Sequence, residues 1–501
     1  MPKSDTLALY KLFTDRMRAL ADVKNAMALL QWDQETYMPT GGAQFRGQQL
    51  ATLAEMVHRM ETSKALGRLM EKLLDRTDLP ERERKNVALT YENYQKANKY
   101  PPSLVKALTL AANQCFMAWI QARRDNQFAI FAPELEKMIA LKKQEAEILG
   151  YVAQPYDAML DQHERGLTTE TLEQIFPELK KHITSLLSAI REKPQPPDGF
   201  LHTFADKQQQ WDFGIYLLQS IGFDFQKGRQ DLSEHPFTTS FSPYDVRVTT
   251  RIHETEPATM IWSCIHEGGH ALYEQGLPAD QYGLPAGQAA SLVIHESQSR
   301  LWENCIGRGL SFWTFHYPEL QKRFPATFQN ITLGDFYKAV NLVKPSLIRT
   351  EADELTYHLH ILIRYEIEKK LINENLSVKE LPELWNALYA EMLGVNVPDD
   401  VHGILQDVHW SHGSLGYFPT YTLGSLLAAQ WWQQLQQDIP DLEEALSRGQ
   451  TAPVLDWLRK NIHSQGSLYT AQELCQRITG KPLQVEAFVN YARDKFTRLY
   501  A

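Results

Sequence analysis

Ile261-Trp262-Ser263-Cys264-Ile265-His266-Glu267-Gly268-Gly269-His270-Ala271-Leu272-Tyr273 is the stretch on which the reading of this chain turns. Its core is His-Glu-x-x-His. On an α-helix of about 3.6 residues per turn, side chains four apart leave from one face. His266 and His270 then point the same way, and two neutral imidazoles so placed hold one zinc ion between them. Glu267, on the next residue, is placed to take a proton from water at that ion. A helix is legible here. Thr255 as a polar cap and Pro257 in the first turn open it, and Gly276 followed by Pro278 closes it. Ile261, Trp262, Ile265, Leu272 and Tyr273 give it an apolar face. Gly268 and Gly269 argue against it, each costing about 1 kcal/mol relative to alanine. Their small size is expected to leave room for substrate at the metal.

Just upstream the period changes. Residues 235–241 and 245–252 alternate with period two and are rich in β-branched side chains, with Ser242-Pro243 between them as a turn. A small antiparallel β-sheet is expected there, either as a wall along which an extended peptide lies or as scaffolding. Downstream, residues 291–303 read as a second helix. A catalytic zinc site usually has three protein ligands and an open water position, so a third ligand is needed. This second helix offers His295, Glu296 and Glu303. Glu296 follows His270 by 26 positions, enough for a loop and a returning helix, but spacing does not choose among the three.

The rest of the chain has helical periodicity at 5–31, 43–75, 80–98, 103–126, 133–149, 168–191 and 205–221, so the fold class is mainly α. Gly150 closes one of these helices, and Ser103 after Pro101-Pro102 is the expected cap of another. Lys193-Pro194-Gln195-Pro196-Pro197-Asp198-Gly199 is the sharpest linker. It separates an N-terminal helical half, to residue 193, from a catalytic half, from residue 200, within one catalytic unit spanning 1–501. No internal repeat is present.

Composition narrows the function classes. The chain of 501 residues is 43% hydrophobic and 22% charged, as in ordinary globular proteins. Its net charge of −10 and the absence of a basic cluster exclude a nucleic-acid partner. Cys115, Cys264, Cys305 and Cys475 are scattered and form no CxxC pair, which fits free thiols in a reducing compartment. The opening MPKSDTLALYKLFTDRM lacks a signal peptide's apolar core, and no uninterrupted apolar run reaches the ~18 residues that would cross a membrane. A cytoplasmic location is expected.

Further blocks carry a resemblance. His-Glu-Gly-Gly-His followed by His295-Glu296-Ser297-Gln298 is similar to the carboxypeptidase Taq family of zinc metallocarboxypeptidases. Asp245-Val246-Arg247-Val248-Thr249 matches its Asp-x-Arg-x-Thr, and Ile348-Arg349-Thr350-Glu351-Ala352-Asp353 its Ile-Arg-x-x-Ala-Asp. Gly403-Ile404-Leu405-Gln406-Asp407-Val408-His409-Trp410 matches its Gly-x-x-Gln-Asp-x-His-Trp, and residues 32–39 resemble family members near their N-termini. The resemblance implies Glu296 as third ligand beside His266 and His270, one Zn2+ per chain with Co2+ as a substitute, and a multi-helix fold with a deep central groove. It also implies a homodimer and the release of single residues from peptide C-termini.

An enzyme of that kind must recognise a free carboxylate, and arginine's planar fork suits it. Arg247 and Arg349 are the candidates; the competing reading is a structural ion pair, such as Arg349 with Asp353. His409 is a candidate donor to the substrate backbone or to the oxyanion. Gly416-Tyr417-x-x-x-Tyr421 is similar to a stretch in related helical zinc oligopeptidases where tyrosine hydroxyls assist the oxyanion, which nominates Tyr417 and Tyr421. Two rivals remain at this point: an oligoendopeptidase with the same metal ligands, and a silent helical binding protein with a structural metal. The presence of Glu267 speaks against the second, because a structural site needs no adjacent base.

Overall fold

Helices carry most of this computed structural model, which describes residues 3–374 and 376–501; Met1 and Pro2 of the polar N-terminal segment lie outside the described residues. The expected helices are present with shifted ends. The first runs Lys3–Thr36, so Trp32 still belongs to it. The stretch 43–75 is two helices, Ala43–Glu61 and Lys64–Leu74, because apolar residues continue across a break at Thr62 and Ser63 that periodicity does not register. Pro155–His163 is a helix without an expected counterpart, opened by a capping box between Gln154 and Asp157. Two caps differ from expectation. Pro101 rather than Ser103 occupies the cap position of Pro102–Asp125, and Glu256 rather than Thr255 that of the metal helix.

The metal helix spans Pro257–Gly276. Ile261, Ile265 and Leu272 are at most 2% exposed. Burying each such side chain is worth about 1.5–3 kcal/mol, which outweighs the about 1 kcal/mol cost of each glycine. The glycines do something other than admit substrate. A Cβ on Gly268 would lie 2.5 Å from Ile221 Cδ1, and one on Gly269 would lie 2.7 Å from Ser299 Cα and 2.8 Å from the Gln298 carbonyl oxygen. Gly269 therefore lets the helix Leu292–Arg300, which carries Glu296, pack backbone-close against the metal helix.

The sheet is mixed rather than antiparallel. It has strands β1 (Gly228–Leu232), β2 (Thr238–Ser242) and β3 (Asp245–Thr250) in the order β1-β3-β2. β2 pairs antiparallel with β3, Thr238 opposite Val248, as the alternation implied. β1 pairs parallel with β3, Gly228 opposite Val246. Its sequence, Gly-Arg-Gln-Asp-Leu, has no β-branched residue and no alternation, so nothing local announces a strand. A long-range contact helps to hold it: Asp231 accepts a hydrogen bond from Tyr37 Oη at 2.5 Å, besides two from its strand neighbour Arg229. Trp32 lies under Arg247, 4.3 Å away, so the 32–39 block fastens the first helix to the sheet.

The chain forms two compact units, each assembled from three stretches. One comprises the chain up to Asn98, Pro197–Val340 and Trp431–Pro482; the other comprises Lys99–Pro196, Asn341–Gln430 and Leu483–Ala501. Pro196–Pro197, inside the proline-rich stretch, is one of the points at which the chain passes from one unit to the other. In the first unit Phe13, Met70, Leu73 and Val87 are fully buried in one cluster that also takes in Leu284, just past the metal helix. Among the described residues no helix is long and apolar enough to cross a membrane.

Candidate metal centre

His266 and His270 leave one face of the metal helix, as their spacing requires, and Glu296 comes from the returning helix Leu292–Arg300. One ligand atom from each of the three falls within 4.8 Å of the other two, and this is the one such group of His, Cys, Asp or Glu among the described residues. Glu296 Oε2 is 3.9 Å from His266 Nε2 and 3.6 Å from His270 Nε2.

The other atom of each ligand is already engaged. His266 Nδ1 lies 2.8 Å from Glu303 Oε2. His270 Nδ1 lies 2.6 Å from His295 Nδ1, whose Nε2 is 2.9 Å from Glu274 Oε1. Arg300 Nε donates to Glu296 Oε1 at 2.6 Å. Two imidazole nitrogens and one carboxylate oxygen are thus what the cluster turns inward. This His2Glu set fits a catalytic divalent metal with an open position. Of the three alternatives that spacing left open, Glu296 lies in the candidate cluster, while Glu303 and His295 stand behind the two histidines.

Glu267 is buried on the same helix, and its Oε2 accepts a hydrogen bond from Thr238 Oγ1 of β2 at 2.7 Å. Burial raises its pKa, with His266 and the Thr238 hydroxyl opposing. A carboxyl raised in this way is the better proton acceptor. Burial disfavours the charged form of His266, yet the Glu303 hydrogen bond and the Glu296 charge prevail and raise its pKa. Burial likewise works against the charge on Glu303. His266, Arg300 and Arg308 nevertheless hold that carboxyl well below the usual range.

Arg247 is on β3 in this same unit, but strand alternation sets it on the opposite face from Val246 and Val248. Thr238, paired with Val248, is on the face that reaches Glu267. Arg247 makes a two-pronged pair with Asp245, at 2.9 and 3.0 Å, and lies over Trp32 and Phe241.

The remaining site candidates gather in the second unit. Arg349 is buried, but its partner is Asp407 and not Asp353: Nε and Nη2 donate to Asp407 Oδ1 at 3.0 and 2.7 Å. Asp353 instead accepts from the backbone of Lys344, Leu355 and Thr356. Arg364, fully buried, holds Asp407 Oδ2 at 2.7 Å. His409 Nε2 is 3.2 Å from Tyr421 Oη, the Tyr417 and Tyr421 rings are 5.3 Å apart, and Arg349 lies over the Tyr421 ring. Burial pushes His409 down to about 3; Asp407 opposes this, and Arg349 and Arg364 reinforce it. Arg349, His409, Tyr417 and Tyr421 therefore form one cluster.

Several participants had no assigned role in the sequence. Arg300 and Glu274 follow Glu296 and His270 by one helical turn, a spacing that is readable in retrospect. Thr238 reaches Glu267 across 29 residues, with no local signal.

Two imidazoles and a carboxylate converging beside a further carboxylate on an HExxH helix define a metallopeptidase. Residues 12–496 match the carboxypeptidase Taq (M32) metallopeptidase family, and the chain belongs to that family. It is 39% identical to carboxypeptidase 1 of Bacillus subtilis over 98% of each chain. It is also 39% identical to thermostable carboxypeptidase 1 of Thermus thermophilus, over 98% of this chain and 99% of that one. A crystal structure of the M32 carboxypeptidase from Deinococcus radiodurans R1 matches with a TM-score of 0.96 at 37% identity, over 98% of this chain and 99% of that one. The protein is a metallocarboxypeptidase, a peptide hydrolase.

Proposed function

We propose that this chain works with zinc, with Co2+ as a substitute, and removes single residues from peptide C-termini, using His266, His270 and Glu296 as ligands and Glu267 as general base. The observation that carries this reading is the convergence of His266 Nε2, His270 Nε2 and Glu296 Oε2 beside a buried carboxyl. Bound there, zinc supplies Lewis acidity, lowering the pKa of water towards about 7 and polarising the scissile carbonyl. Glu267 takes the water's proton and returns it to the departing amine. Thr238 holds the carboxylate of Glu267 in place.

Arg349 is the proposed anchor for the terminal carboxylate. It and Arg364 share one bonded carboxylate, Asp407, while the buried Glu368 also acts on Arg364. Arg247, matched by Asp245 and turned towards Trp32, is proposed to support the sheet rather than to grip substrate. His409 is neutral over the working range and is the proposed donor to the substrate backbone or oxyanion, with Tyr421 beside it and Tyr417 lining the cluster. The four buried free cysteines support a cytoplasmic location, and the family resemblance supports a homodimer, which sedimentation velocity tests.

The test is mass spectrometry of a defined peptide incubated with zinc-loaded enzyme. Masses falling stepwise by C-terminal residues are expected. Internal fragments, with equal rates on acid and amide peptides, would return the oligoendopeptidase reading.

A further inference from the structure

Each proposed ligand has two atoms able to bind a metal, and in each the unused one is occupied. Glu303 takes His266 Nδ1, itself braced by Arg300 Nη1 and Arg308 Nη2 at 3.2 Å each. His295 takes His270 Nδ1 and passes the contact on to Glu274. Arg300 takes Glu296 Oε1. The hydrogen bonds accommodate a protonation pattern in which His270 Nδ1–H donates to His295 Nδ1 and His295 Nε2–H donates to Glu274. That pattern leaves the lone pair of His270 on Nε2, the atom facing Glu296. Arg300, bonded to both Glu296 and Glu303, ties the returning helix to the seven-residue π-helical turn Leu301–Gly307, whose wider winding carries Glu303 to His266.

We propose that Glu303, His295 with Glu274, and Arg300 are positioning residues that preform the metal site. Glu303 and His295 fix both histidines as Nε2 ligands, and Arg300 restricts Glu296 to one coordinating oxygen. The proposal rests on the metal reading above. Outer partners of metal-binding histidines typically carry about 10–100-fold in metal affinity. His295 acts on the metal only through His270, and Glu274 only through His295.

The test uses the full-length chain, stripped of metal and reloaded with Zn2+ or Co2+. Zinc affinity is read by chelator competition, Co2+ geometry by its d–d absorption, and integrity by the thermal midpoint of the metal-free protein. Glu303→Gln and His295→Phe should each weaken zinc by about 10–100-fold while still binding one ion per chain. Glu274→Gln should weaken zinc in the wild-type background and have no effect in the His295→Phe background, because the two act through one contact. Arg300→Met should free Glu296 Oε1 and convert the Co2+ spectrum to the weaker, five-coordinate type. Arg300→Lys, which keeps the charge, serves if the methionine variant does not fold.

Zinc affinities within twofold of wild type in Glu303→Gln and His295→Phe, with an unchanged Co2+ spectrum in the Arg300 variant, would overturn the proposal. So would complete loss of metal in His295→Phe, which would make His295 a ligand. A wild-type protein that takes up no ion would instead sink the metal reading itself.

Discussion

Two carboxylates in this molecule are each gripped by two arginines, and they sit in clusters of different make-up. Glu303 in the first unit is held by Arg300 and Arg308; Asp407 in the second is held by Arg349 and Arg364. Around Glu303 stand Glu296 and Glu267, faced by Arg300, Arg308 and His266. Around Asp407 the hydrogen-bonding partners are otherwise neutral: Gln406, Tyr357 and Tyr389. One network is built of carboxylates and imidazoles, a donor set that suits a cation; the other packs two arginines onto one shared carboxylate. A pair matched one to one, such as Lys495–Glu354, points by contrast only to structure. The same contrast acts on histidine. His266 is raised against the pull of burial by Glu303 and Glu296, while His409 is driven down by burial with help from Arg349 and Arg364.

The cation side of the comparison breaks most sharply at its ligands and its base. His266→Ala, His270→Ala and Glu296→Ala should each abolish stoichiometric metal binding, measured by metal analysis after dialysis. Glu267→Gln should keep the metal and lose about 10²–10⁴-fold in kcat, because an amide accepts no proton from water. Activity within tenfold of wild type would remove Glu267 from the base role.

The anion side is probed by the substrate. If Arg349 holds the terminal carboxylate, the charge-assisted contact is worth about 1.5–3 kcal/mol, or roughly 10–150-fold in kcat/KM. Amidating the peptide's C-terminus should cost that factor. Arg349→Ala should cost a similar factor on the acid peptide and little further on the amide, since both changes remove one contact. Lysine should rescue only in part, as it keeps the charge but not the fork. If Arg247→Ala gives that non-additive pattern instead, the anchor is Arg247.

How much of this was legible beforehand depended on the distance between cause and effect along the chain. The metal helix was readable because its reason is local: two histidines one turn apart on an apolar-faced helix. Glu296 was one of three local choices, separated only by a fold that turns Oε2 towards both Nε2 atoms. Arg349 was readable as a charged residue in a motif, but its partner was not. Asp353, four residues on, was the local guess, and Asp407 lies 58 residues away. β1 escaped for the same reason, since a polar strand is stabilised by its parallel neighbour and by Tyr37 rather than by its own pattern. Gly269 is the instructive misreading. Its smallness was visible, but whether that served a substrate or a neighbouring helix depended on Ser299, 30 residues later.

The smallest expected effect concerns His409 and tests how burial and the charges of the second network act on it. Its folded pKa is about 3, against about 6.5 for an unfolded histidine. Between those values the unfolded chain binds a proton that the folded chain does not, so stability rises with pH over that window. The contribution of His409 is therefore fully present above about 6.5 and is lost as pH falls towards 3. One such proton changes the unfolding free energy by about 1.4 kcal/mol per pH unit. His409→Asn removes the titrating group, so the slope of unfolding free energy between pH 6 and 4, from urea titrations, should be shallower by about that amount. The Asn side chain can still donate towards Tyr421, which limits any change at pH 7. Removing Arg349 lowers the positive field and should raise the folded His409 pKa, moving the lower edge of its loss window to higher pH and narrowing the window. Parallel pH profiles for wild type and His409→Asn would mean that His409 titrates normally when folded, and that Asp407 offsets burial and the two arginines together.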